Sequence, residues 1–213
     1  GGSITIRGES LSISNGGFID TAVFGQGNAG NVSINATGLV TLDGGVVFSG
    51  IERFSFNGAE RNGIGNAGNI SIETPLLDIQ DGGLTTSTFG SANEAQSGES
   101  DADSISTIAI SADEIKLSGN SGILADTFGS ARGGDILLQP YAPGGDIEIT
   151  TVGDASPISA STAFDSSGRG GNITIQNAEI ARLENTELFT SSSGSGDAGG
   201  ISVQNVGVLL MRH

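Results

Sequence analysis

Carboxylates are the chemically versatile side chains this chain has in quantity, so any chemistry should be sought there first. Its 213 residues hold 24 Asp and Glu against 8 Lys and Arg, with one His and no Cys. Hard cations such as Ca²⁺ take carboxylate and carbonyl oxygens as ligands, and repeated G-G-x-G-x-D corners bind Ca²⁺ in some parallel β-helices. Ser193-Gly194-Ser195-Gly196-Asp197 and Gly144-Gly145-Asp146 are fragments of that pattern without its regular spacing. Asp197 is therefore one calcium candidate, and Asp101 and Asp103, in the acidic stretch 91–104, are two more. That stretch reads first as a solvated loop, as charge runs usually do, with calcium an adventitious guest and no cofactor required.

Paired carboxylates also cleave glycosidic bonds when they flank one groove. Asp78, Asp81, Asp113 and Asp126 would meet only if the chain stacked them together. No acid, base and charge-stabilising group converge around them, and the sole histidine is His213, so no catalytic residue is assigned. Gly25 to Gly30, Gly63 to Gly68 and Gly194 to Gly199 each fit G-x-G-x-x-G. A dinucleotide fingerprint needs a strand before it and a helix after it; here a strand follows, so these glycines read as corners.

The elements that must carry these residues come from repetition. Gly25-Gln26-Gly27-Asn28-Ala29-Gly30-Asn31-Val32-Ser33-Ile34 returns as Gly63-Ile64-Gly65-Asn66-Ala67-Gly68-Asn69-Ile70-Ser71-Ile72. Weaker echoes begin at Arg169, Gly133 and Gly144, with partial copies at Gly1 and Gly199. The unit is about 28 residues, in places lengthened by about ten, and a fixed period of this order marks a solenoid. Ile147, close behind Ile136, reads as an inserted half-unit.

Within a unit, Ile4-Thr5-Ile6 and Leu11-Ser12-Ile13 alternate apolar and polar residues, as strands with one buried face do. Asn15-Gly16-Gly17 supplies a turn, and Phe18 to Phe24 a third, looser strand. Stacking such coils predicts one buried column of Ile4, Val32, Ile70, Ile108, Ile136, Ile173 and Ile201. A second column holds Ile6, Ile34, Ile72, Ile110, Leu138, Ile175 and Val203. Asn31, Asn69 and Asn172, with Asp135 and Asp146 substituting, are placed at one shared structural corner, since Asn and Asp tolerate left-handed backbone and bond nearby main chain. The fold class expected is all-β, a parallel β-solenoid with about three short strands per coil. Residues 1–213 form a single solenoid region, with loop insertions near 49–66, 91–104 and 139–157; the last should kink or widen the stack.

Composition removes some function classes. A formal net charge of -16 with Lys116 as the lone lysine repels phosphate backbones, so no nucleic-acid partner is expected. No apolar run approaches the roughly 18 residues of a membrane span. Both ends read as cuts through a longer array, and the apolar Val208-Leu209-Leu210-Met211 suggests end-to-end self-association.

At G-Q-G-N-A-G-N-V-S-I, D-G-G and T-F-G-S-A the chain resembles the repeats of filamentous-haemagglutinin-type large exoproteins, especially cyanobacterial two-partner-secretion passengers. The resemblance implies a right-handed parallel β-helix, a secreted or surface-attached stalk or adhesin passenger with an outer-membrane secretion partner, and cell-surface glycans or proteins as its targets. The alternative from another class is a polysaccharide-binding or polysaccharide-cleaving β-helix. With one Tyr, nine Phe and no Trp, the usual sugar-stacking platform is thin.

Overall fold

The computed structural model describes residues 1–56, 59–88, 106–128, 132–153, 157–163 and 166–213, with the backbone alone over 53–56 and 59–62. It is a right-handed parallel β-helix of three sheets, the hand that parallel crossover connections take. The first sheet stacks seven strands: Ile4–Gly8, Val32–Ala36, Ile70–Glu73, Thr107–Ser111, Asp135–Gln139, Ile173–Gln176 and Ile201–Gln204. The second stacks Leu11–Ser14, Leu39–Asp43, Leu76–Gln80, Glu114–Ser118, Ile147–Val152, Ile180–Glu184 and Val208–Arg212. The third is shorter, running from Phe18–Asp20 through Val46–Phe48, Gly83–Thr85, Gly122–Leu124 and Ile158–Ser159 to Leu188–Phe189.

Both predicted columns exist in the expected register. Ile4 pairs with Val32, Val32 with Ile70, Ile70 with Ile108, and the series continues through Ile136 and Ile173 to Ile201. Five of those seven are buried; Ile4 is half-buried and Ile201 is 49% exposed, because an outermost coil has a neighbour on one side only. Each fully buried Ile contributes about 2 kcal/mol, but only through the coils above and below it. No coil could be stable alone.

The third strand is shorter than the sequence suggested. Phe18 to Phe24 is a strand only to Asp20, after which Val23 makes an isolated parallel bridge to Ile51. The same bridge column continues through Thr88, Thr127, Thr162 and Ser192. The threonine of the T-F-G-S-A echo therefore sits in a fourth, one-residue ladder, beyond the strand it was assigned to.

The half-unit at Ile147 is corrected as well. Ile147–Val152 is the ordinary second-sheet strand of the fifth coil, with Ile149 paired to Ile115 on one side and Leu183 on the other. The stack is neither widened nor interrupted there. Residues 140–146 form a longer corner between the first and second sheets, and this shifts Ile147 along the sequence without shifting it in the sheet. Between the second and third coils, Arg53–Phe56 and Ala59–Asn62 make an antiparallel pair outside the three sheets. The acidic stretch 91–104 lies outside the described residues.

Candidate functional site

Corners between coils decide where polar side chains can go. Asn31 Oδ1 accepts the backbone N–H of Asn69 at 2.9 Å, and Asn69 Oδ1 accepts that of Thr107 at 2.8 Å. Asp135 Oδ1 accepts from Asn172 N at 2.7 Å, and Asn172 Oδ1 from Gly200 N at 3.0 Å. At the start of the stack Ser3 Oγ accepts from Asn31 N at 3.1 Å. Each side chain thus satisfies a main-chain donor one coil further on, which a corner would otherwise leave unpaired. The column also contains Ser3, Thr107 and Gly200, which matching Asn and Asp letters did not reveal.

Asp146 is not in that column. It closes the 140–146 corner, where its carboxylate accepts from Ile180 N at 3.2 Å and pairs with Arg182 Nη1 at 3.0 Å. The string Gly-Gly-Asp-Ile recurs because two different corners need the same local chemistry: small residues, then an acceptor aimed at the next coil.

The acids do not assemble into a catalytic or metal centre. Asp78 lies on the second sheet between Thr41 and Lys116. Asp81, Asp113 and Asp126 stand at three different corners, accepting from the backbone N–H of Asn120 (2.9 Å), Tyr141 (3.0 Å) and Ser161 (2.7 Å). Stacking separates these four carboxylates. Asp197 is exposed, and among the described residues no three potential ligands group around any metal position; Asp101 and Asp103 lie outside the described residues. Partial burial, and secondarily Asp20, raise the pKa of Glu52 above its ordinary value.

A concavity does arise at the corner between the first and second sheets. Residues 140–146 project there, and beside them runs a groove of about 720 Å³. It collects residues from five successive coils: Glu73, Ser111, Gln139 with Tyr141 and Pro143, then Asn177 with Glu179, and finally Asn205 with Val206. Its volume is that of a small-molecule site.

The projecting loop is held at both ends. Tyr141 N–H donates to the Asp113 carboxylate, Gly145 N–H closes a turn onto Ala142 O at 2.9 Å, and Glu179 N–H donates to Gly145 O at 2.8 Å. Gly144 sits at φ 75, a left-handed value that suits glycine. Along the adjoining sheet edge the side chains link coil to coil. Gln176 Nε2 donates to Gln139 Oε1 at 3.1 Å, Gln139 Nε2 donates to Ser111 Oγ at 2.9 Å, and Asn35 donates to Glu73. Asn205 Nδ2 donates to Asn177 Oδ1 at 3.0 Å, both residues being left-handed turn positions.

This groove was not foreseen from the sequence. The only clue was that 139–157 departs from the unit and carries the chain's single tyrosine between Pro140 and Pro143. No helix among the described residues is long and apolar enough to cross a membrane. No family model, curated protein or solved structure matches the chain.

Proposed function

We propose that the chain is a structural, adhesive repeat region of a filamentous-haemagglutinin-like exoprotein, exported with an outer-membrane partner and displayed at the cell surface or released. The observation that supports this most is the unbroken register of the first sheet, Ile4 through Ile201, in which every coil is bound to its neighbours by main-chain pairing. Such a stack resists bending and leaves its outer faces free for variation. The polar groups at its corners serve the stack, as Asp81, Asp113 and Asp126 do, which favours a holding role over a catalytic one. Self-association through the exposed Val208, Leu209, Leu210 and Met211 belongs to the same reading.

Antibody raised against the folded chain tests the assignment on cells that produce it. Labelling of intact cells, lost after brief external protease and accompanied by weaker surface attachment when the gene is disrupted, is the expected result. Labelling that requires permeabilised cells would overturn it.

A further inference from the structure

We infer that the groove beside Tyr141 is a binding site for a neutral, extended oligosaccharide, which gives the adhesive reading above a definite target class. Charge decides against anionic ligands. The chain carries -16, and the groove is lined by Glu73 and Glu179 with no basic residue. A phosphate, sulfate or uronate would enter without a counter-charge.

Hydrogen-bond capacity separates the remaining classes. A cationic ligand needs acceptors alone, whereas sugar hydroxyls both donate and accept. Carboxamides provide both functions in one group, and Gln139, Asn177 and Asn205 present them on successive coils. Gln139 spends its oxygen on Gln176 and one N–H on Ser111, so a second N–H remains for a ligand. Glu179 is exposed and adds a free pair of acceptors. Tyr141 supplies an apolar ring face with a polar tip, the combination that stacks on a pyranose.

Spacing supports an extended chain. The lining positions repeat once per coil, about 4.8 Å apart, so the five coils span roughly 19 Å along the axis. A linear hexose polymer offers a diol at nearly each such step, while a compact ligand would reach only one or two of them. The loop is already fixed by Asp113 and by the Gly145–Glu179 bond, so little ordering entropy opposes binding.

With one Tyr and no Trp, the emission of the folded chain comes from the groove itself. Titration with cellohexaose, mannohexaose and maltohexaose should give, for at least one, a saturable change in tyrosine fluorescence, confirmed by calorimetry. Calorimetry on Tyr141→Ala and on Glu179→Ala should show roughly tenfold or greater weakening, with the circular dichroism of both variants unchanged. Hexalysine is the discriminating control. A response to hexalysine and to none of the sugars would make the ligand cationic and overturn the inference, as would silence toward all four probes or sugar binding that survives Tyr141→Ala. Surface labelling of cells is independent of these outcomes: a displayed chain that ignores sugars refutes the groove assignment alone, and an intracellular chain refutes the surface reading.

Discussion

Replacing Gly171 by alanine tests the coil stack at a point where no side chain can yield. Gly171 belongs to a column with Gly30, Gly68, Gly134 and Gly199, at the corner leading into the first sheet. A Cβ at Gly171 would lie 1.9 Å from the carbonyl oxygen of Gly134 and 2.6 Å from its carbonyl carbon. Ordinary contact begins near 3.4 Å, so the two coils must part by more than an ångström, or the corner must rotate. Either movement strains bonds that close the coil here: Gly171 N–H to Ala160 O at 3.1 Å, Ile136 N–H to Asn172 O at 2.8 Å, and Asn172 N–H to Asp135 at 2.7 Å. Overpacking ordinarily costs about 1–3 kcal/mol. With backbone as the obstacle and bonds worth about 1 kcal/mol each beside it, the expected loss is about 3 kcal/mol. At a urea slope of about 3 kcal/mol/M this lowers the midpoint by roughly 1 M. Gly25→Ala is the control, since a Cβ there meets nothing within 4 Å and its backbone is not left-handed. Hydrogen exchange should place the damage at the interface of the fifth and sixth coils, with faster exchange at the Ile136 and Asn172 amides. Equal midpoints for the two variants would mean that these coils do not stack in this register.

Other outcomes follow from the same geometry. Ile70→Asp puts a charge at a position with no solvent exposure and should cost several kcal/mol, whereas Ser71→Asp, on the outward face, should leave the urea midpoint nearly unchanged. Asn69→Ala removes the acceptor for Thr107 N–H and should cost about 1 kcal/mol, with Asn69→Asp restoring most of it in the same unfolding assay. Glu52 has its folded pKa raised by burial and by Asp20, so its contribution is fully present below the unfolded value and is lost as pH rises through the folded one. Glu52→Gln should therefore raise the thermal midpoint at neutral pH and lose that advantage below about pH 4; an advantage equal at both pH values would refute the assignment.

The sequence was most transparent where one residue type recurs at a fixed position of the coil. The Ile and Val columns were readable because a period-two strand with a β-branched inner face leaves few registers open. Thr107 is not legible as a member of the Asn column because the ladder there is carried by main-chain N–H groups, which every residue but proline has and which no side-chain letter marks. Asp146 was misplaced for the converse reason: the same letters serve a different corner. The third sheet was blurred by its short strands, Gly83–Thr85 and Gly122–Leu124, whose leading glycines look like turn residues. The Tyr141 groove escaped because Glu73, Tyr141, Glu179 and Asn205 meet only once the coils are stacked.

Variation in a stacked repeat is confined by the physics of the stack. Inward positions must match the coils on either side, and close-approach glycines such as Gly171 admit no side chain, which leaves outward positions and corner length free to change. Residues 140–146 exploit the second freedom. In the next coil residues 177–180, the last of them already the first residue of the strand Ile180–Glu184, make the same connection with fewer residues, from Gln176 to Ala181, which pairs with Ile147. Exchanging 140–146 for the Asn-Ala-Glu-Ile of 177–180 should therefore preserve the register of both sheets. Shortening the loop recovers about 0.5 kcal/mol of closure entropy. Against this, the partly exposed Asp146–Arg182 pair is lost, worth up to about 1 kcal/mol. The net change in stability should stay within about 1 kcal/mol, while the wall of the groove disappears and calorimetric binding of the hexasaccharides goes with it. A chain that unfolds on this exchange would identify the loop as a clamp on the fifth and sixth coils, and its projection beside the groove would then be a by-product of holding the stack together.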